Sequence, residues 1–215
     1  MNLRSLLALG FALAIVPATP AAIIDLFGDD SDVTDGTAAG ATSDGGIAIG
    51  GSVFTTRELT ATTNGVGDTS IEADLGILAL STQFDTTGTA MAIYTGNVVD
   101  FSAANMFMLD FLGADFTGAD VFIELTDSSN ATASADFTGA GTLGTAGTTL
   151  SVSAGAFGGI NMAAIQQVKL TFNGVPAAND LAFDNLRTSD VPEPGAITLF
   201  GAGLLGLAYL RRKRK

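Results

Sequence analysis

The sequence predicts an all-β fold, a single antiparallel β-sandwich of jelly-roll type, and three observations predict it. Short runs rich in Val, Ile, Phe and Thr recur along 22–190. Gly, Asn, Asp and Ser turn signals separate them at about 8 to 12 residues, the spacing of a sandwich or barrel. The 27 Gly of the 215-residue chain suit turns and short strands rather than long helices.

The first apolar run, 23–27, reads as a strand. The acidic stretch 29–36 (DDSDVTDG) has the look of a calcium loop, but an EF-hand register fails. Starting at Asp30 puts Asp35 where Gly is needed and Ala41 where Glu is needed, so 29–36 is read as a solvated acidic loop, with an irregular calcium site as the alternative. Strands follow over 53–59, 70–75, 77–82 and 90–94, the last ending at the turn signal Thr95-Gly96-Asn97. The run 106–112 (MFMLDFL) is nearly all apolar and fits a central buried strand. Over 120–126 (DVFIELT), Val121, Ile123 and Leu125 alternate with Phe122, Glu124 and Thr126. Asp127 to Asn130 reads as the next turn, and strands over 133–137, 148–152, 167–172 and 181–186 complete the series. Only 161–167 has helical character, a turn or two. No repeat and no internal boundary divides 22–190.

Composition excludes several functions. The chain has no Cys and no His, which removes disulfides, thiol chemistry, the usual general base and the commonest transition-metal ligand. Between Ala22 and Asp190 stand 21 acidic residues and three basic ones, Arg57, Lys169 and Arg187, a net charge of −18. Such a surface repels nucleic acid. The chemistry left to an enzyme is a carboxylate pair of the glycosidase kind. With so many acids, chance pairs are expected, and nothing marks one. Lys169 falls on the solvent side of its alternating strand. The domain is therefore read as non-catalytic.

The two ends are of another kind. Arg4, the apolar stretch 6–16 and the small residues around Ala21 follow the order of a secretion signal, with cleavage after Ala21. This assigns 1–21 to a signal helix and 22–190 to the acidic sandwich. At the other end Val191-Pro192-Glu193-Pro194-Gly195 precedes an uncharged stretch, 196–210, and the terminal cluster Arg211, Arg212, Lys213, Arg214, Lys215. As a helix, 15 residues span about 22 Å, short of the ~30 Å hydrocarbon core. The basic cluster places the tail's end on the cytoplasmic side. On physics alone this is either a temporary hold or an ordinary membrane anchor.

The proline-flanked Glu193, the Gly-rich apolar segment and the terminal arginines closely resemble the PEP-CTERM sorting signal of exported bacterial proteins. That resemblance assigns 191–215 to a sorting segment and makes Val191 to Pro194 its processing motif. It implies Sec export, a transient inner-membrane anchor through a transmembrane helix, and an exosortase that removes the tail. It also implies a surface or matrix destination in a Gram-negative, biofilm-forming bacterium. The mature domain is then expected to be structural or adhesive, with exopolysaccharide as a candidate partner.

A second resemblance lies in the order of the late strands. The runs 121–129, 168–172 and 181–186 are similar to carbohydrate-binding jelly rolls. In such domains an acidic residue of the closing strand helps hold a structural calcium near the first strand. That role would fall to Asp184, with Asp25 beside it. Asp184 as a plain turn or strand-edge residue is the competing reading. Calcium-dependent exopolysaccharide binding is accordingly the alternative function, and a glycosidase the third.

Overall fold

A computed structural model describes residues 21–36, 41–115, 118–138 and 143–189. Contacts group Ala21–Ser189 as one compact unit. Residues 1–20 of the expected signal segment and the sorting segment 191–215 lie outside the described residues, as do their expected helices.

Alternation builds the strands. In β5 (Thr56–Gly65) Arg57, Leu59, Ala61 and Thr63 point inward, and in β8 (Thr86–Thr95) Ala90, Ala92 and Tyr94 do so. In β10 (Asp120–Asp127) and β13 (Ile165–Val175) the inward sets are Val121, Ile123, Leu125 and Val168, Leu170, Phe172. These strands form the back sheet, in the order β11-β10-β13-β8-β5-β3, with β11 (Thr132–Asp136) and β3 (Ala41–Ser43) at its edges. The short β4 (Ile47–Ala48) also pairs with β5.

The front sheet runs β12-β9-β14-β7-β6-β2. Its strands are β12 (Thr148–Ser153), β9 (Met106–Ala114), β14 (Asp180–Thr188), β7 (Ile77–Thr82), β6 (Thr69–Asp74) and β2 (Ser31–Asp35). The remaining β1 (Ile23–Asp25) adds to β14, with Ile23 opposite Arg187. Every described pairing is antiparallel. The result is the two-sheet sandwich that the alternation and turn spacing predict.

The core lies between the sheets. Phe172 of the back sheet packs on Phe183 of the front sheet with ring centroids 5.0 Å apart, and Phe183 on Phe111 at 5.5 Å. A second aromatic chain joins Phe54, Phe101, Phe107 and Phe157. Small inward residues let the layers approach. Gly88 of β8 lies so close to β6 that a Cβ there would sit 2.4 Å from Thr69 Oγ1.

Two expectations are corrected. Residues 31–35 form β2 rather than a solvated loop. Val33 supplies one apolar contact, while Ser31 and Asp35 point inward to polar partners: Ser31 accepts from Arg57, and Asp35 accepts from the Thr63 N–H at 2.8 Å. Inward polar residues hid the alternation. The helical character of 161–167 is also absent: β13 begins at Ile165, which bridges to Val99, and the described helix is a single 3₁₀ turn, Ala154–Ala156.

Candidate functional site

The outward residues of the front sheet divide into a groove and a polar cluster. At the level of Ala182, β14 faces Ala79 of β7 on one side and Gly113 of β9 on the other. Three small residues in a row leave a depression of about 460 Å³, with Glu72, Asp115 and Asp180 at its rim. The register requires this: Ala79 lies opposite Glu72, and Asp180 opposite Ser81. No aromatic residue lines the depression. What it presents is carboxylate acceptors beside a floor of small side chains.

One step along the same strands, Asp184 lies opposite Asp110. Arg187 Nη1 donates to Asp110 Oδ2 at 2.7 Å, Arg187 Nη2 to Oδ1 at 3.1 Å, and Thr149 Oγ1 to Oδ1 at 2.6 Å. Asn185 Nδ2 adds a bond at 3.2 Å. Partial burial works to raise the Asp110 carboxyl, but the hydrogen bonds from Arg187 and Thr149 and the Arg187 charge outweigh it and hold it below the usual range. Asp184 moves the other way. Desolvation raises it and Asp110 adds to the effect, against the Asn185 N–H and the Arg187 charge. Asn185 sits at φ 55, at the irregularity where the β14–β9 register slips between Asp184 and Arg187. The sequence concealed this cluster inside MFMLDFL. The run was expected to be a central buried strand, but β9 buries only one face, and Met106, Met108 and Asp110 face outward and are half-buried.

The structure does not bring Asp184 and Asp25 together around a cation. Asp25 Oδ2 accepts from Arg57 Nη1 at 2.8 Å, and its Oδ1 from the Phe27 N–H at 2.7 Å, both inside the sandwich. Asp184 belongs to the outer face. Among the described residues no group of three or more acidic side chains could hold a metal. The residues present do not fit the structural calcium that the resemblance implies, because the Asp25 charge is already matched by Arg57.

Tyr94, the one tyrosine of the sandwich, is fully buried beside Asp25 and Arg57, and it offers no surface to a sugar ring. Burial, then the Asp25 charge, raises its phenol well above the ordinary value. Lys169 lies on the outer face of the back sheet, as expected, bonded to Glu124 at 2.6 Å across β13–β10. A smaller groove of about 400 Å³, lined by Thr95, Asn97, Val98, Gln166 and Gln167, opens where β8 and β13 meet.

No helix among the described residues is long and apolar enough to cross a membrane, and 196–210 lies outside them. The processing residues Val191, Pro192, Glu193 and Pro194, and the basic cluster from Arg211 to Lys215, also lie outside. Ala21, the expected cleavage point, is exposed.

No curated protein matches the chain. Among solved structures, it is similar to the family 11 carbohydrate-binding module of the cellulosomal cellulase Lic26A-Cel5E of Clostridium thermocellum. That match has 10% identity and a TM-score of 0.45, covering 81% of this chain and 97% of that one. A xylan-binding module, CBM86, from Roseburia intestinalis matches at 13% identity and a TM-score of 0.36, covering 76% and 97%. An agarase matches at 14% and 0.39, covering 61% of this chain and 22% of the agarase. The family model described as the PEP-CTERM protein-sorting motif matches residues 190–215. The segment that follows Ser189 is a PEP-CTERM protein-sorting motif.

Proposed function

We propose that this chain is an exported bacterial surface protein whose sandwich acts outside the cell as a non-catalytic structural or adhesive domain. The observation that carries the reading is the sorting motif at 190–215. On this reading the N-terminal segment directs Sec export, and the apolar stretch 196–210 holds the precursor in the inner membrane. An exosortase then processes the chain near Val191 to Pro194. The body left outside carries 21 acids against three bases, a composition that keeps it soluble and apart from nucleic acid.

Against catalysis, the chain has neither His nor Cys. The most conspicuous carboxylate pair, Asp110 and Asp184, has one member locked to Arg187 by two hydrogen bonds. The test of the sorting reading is the intact mass of protein recovered from the native surface or medium. Loss of residues 1–21 together with the tail beyond Pro194 supports it. Retention of 196–215 on every surface molecule leaves a plain anchored protein instead.

A second reading is favoured by the groove of the front sheet: the body is a polysaccharide-binding module. The Ala79–Ala182–Gly113 floor admits a sugar chain, and Glu72, Asp115 and Asp180 supply acceptors for its hydroxyls. Uncharged polysaccharide suits that rim, since polyanions are repelled. Retention of a soluble 21–189 fragment on immobilised neutral exopolysaccharide supports this reading; free passage removes it.

A further inference from the structure

The outer face of the front sheet ends in an apolar corner. Leu26, Ile77 and Ile23 are 43%, 41% and 36% exposed, and Leu75 is 87% exposed. The fold brings them together. Leu75 and Gly76 form the turn between β6 and β7, and the Gly76 N–H donates to the Phe27 carbonyl at 3.1 Å, just after Leu26. Ile23 is two residues before Asp25 on β1, which extends the sheet past this hairpin.

Leu75 is the anomaly. It has φ 51, followed by Gly76 at φ 91. A two-residue turn with both φ positive favours Asn or Asp before Gly, and a leucine there is strained. The side chain gains no burial in return. A residue that breaks both the backbone rule and the hydration rule at a hairpin tip points to something outside the fold.

The path of the chain says what that is. The Thr188 N–H bonds to the Ala22 carbonyl and the Ser189 N–H to the Met106 carbonyl, both at 2.9 Å, so the chain leaves the sandwich at the β1 end of the front sheet. Six residues, 190–195, then precede the apolar stretch 196–210, a reach of at most about 20 Å. Asp25 is paired with Arg57 and Asp110 with Arg187, while Asp74 precedes Leu75 and lies opposite Ile77. By contrast Val66 and Phe84, also exposed, flank the opposite end of β6 and β7, and the exposed Val98 and Leu112 belong to neither end of that hairpin.

We propose that the corner formed by Ile23, Leu26, Leu75 and Ile77 seats in the headgroup layer of the membrane that holds the precursor. The proposal rests on 196–210 being a membrane anchor. Seated there, the sandwich presents Ser189, where the chain leaves it, toward the membrane that carries the processing enzyme. Removal of the tail leaves the corner as a weak contact on its own, and the domain is free to depart.

The chain has no Trp, so one introduced Trp reports its own site. Full-length Leu75→Trp and Val66→Trp are reconstituted into phosphatidylethanolamine–phosphatidylglycerol vesicles and floated on a density gradient. The expected result is co-flotation of both, with a blue-shifted emission quenched by headgroup-proximal brominated lipid for Leu75→Trp and a water-like, unquenched emission for Val66→Trp. Leu26→Trp replaces Leu75→Trp should the hairpin variant misfold. Co-flotation with water-like emission at positions 75 and 26 overturns the proposal while leaving the anchor intact. Quenching at position 66 in place of position 75 overturns it too. Failure to float takes down the anchor and this inference together.

Discussion

Asp25 and Arg57 meet at 2.8 Å between the two sheets, with side chains 2% and 0% exposed. The pair ties β1 of the front sheet to β5 of the back sheet. Arg57 also donates to Ser31 Oγ at 3.0 Å and to the Asp29 carbonyl, which fixes the course of the chain into β2. Replacing Arg57 by Leu leaves a buried carboxylate without its cation, a change that costs about 3–5 kcal/mol. Replacing both residues with apolar ones of similar volume, Asp25→Leu with Arg57→Met, recovers most of that loss. Urea midpoints of the two variants check this. Equal loss in both would show that Asp25 has other indispensable partners.

Asp127 gives the domain an acid-sensitive joint. Its Oδ1 accepts from Ser129 Oγ at 2.6 Å, from the Ser129 N–H at 2.8 Å and from the Ala131 N–H at 3.1 Å, while Oδ2 accepts from the Asn161 N–H at 2.9 Å. The Ser129 hydroxyl and then the Asn161 N–H hold the carboxyl down to about 2. A carboxyl whose folded value lies below its unfolded value of about 3.9 stabilises above that value and loses the contribution as pH falls. The Asp127 contribution is therefore complete above pH ~4 and gone below pH ~2. In Asp127→Asn the urea midpoint falls at pH 7, and the difference from wild type narrows between pH 4 and 2. A constant difference across that window would place the effect in packing rather than ionisation.

Strand positions were legible where the inward side chains are apolar. Val121, Ile123 and Leu125 announce β10 by period, and Val168, Leu170 and Phe172 announce β13. Legibility failed where inward positions are polar and their partners distant in sequence. Ser31 and Asp35 make β2 inward-facing only because Arg57 and Thr63 await them on β5. The groove was not legible for a related reason. Ala79, Gly113 and Ala182 carry no chemistry of their own and acquire meaning from register. Nor could the sequence tell that Asp25 has a cation partner 32 positions away. The sorting segment was legible because its signal is a local order of residue types.

Asp184 should make the domain less stable at neutral pH. Desolvation and the neighbouring Asp110 raise its carboxyl. The sign is opposite to that of Asp127: a raised folded value favours the protonated form, so stability is complete below the unfolded value of ~3.9 and declines as pH rises through the folded one. Asp184→Asn therefore raises the urea midpoint at pH 7 by a small margin, and wild type and variant converge near pH 3. Calcium shifts neither midpoint. A calcium-dependent rise in wild type that Asp184→Asn abolishes would restore the metal site.

The groove separates a polysaccharide module from a purely structural domain. Ala79 and Ala182 face each other across β7 and β14 and form its floor. Their side chains point away from the core, so Ala182→Trp fills the depression without entering the packed interior. Surface changes of this kind stay within about ±0.5 kcal/mol in stability. A glycan chain lying along Ala182 would lose its seat, and affinity on a neutral exopolysaccharide gel falls at least ~10-fold, equivalent to about 1.4 kcal/mol. Pairing Glu72→Gln with Asp180→Asn removes two charged acceptors but keeps the floor, so the loss is smaller than for Ala182→Trp. A 21–189 fragment that binds and keeps its affinity in Ala182→Trp places the sugar elsewhere, with the Asn97–Gln167 groove next to test. A fragment that never binds leaves the front face without a glycan role and the body as scaffold.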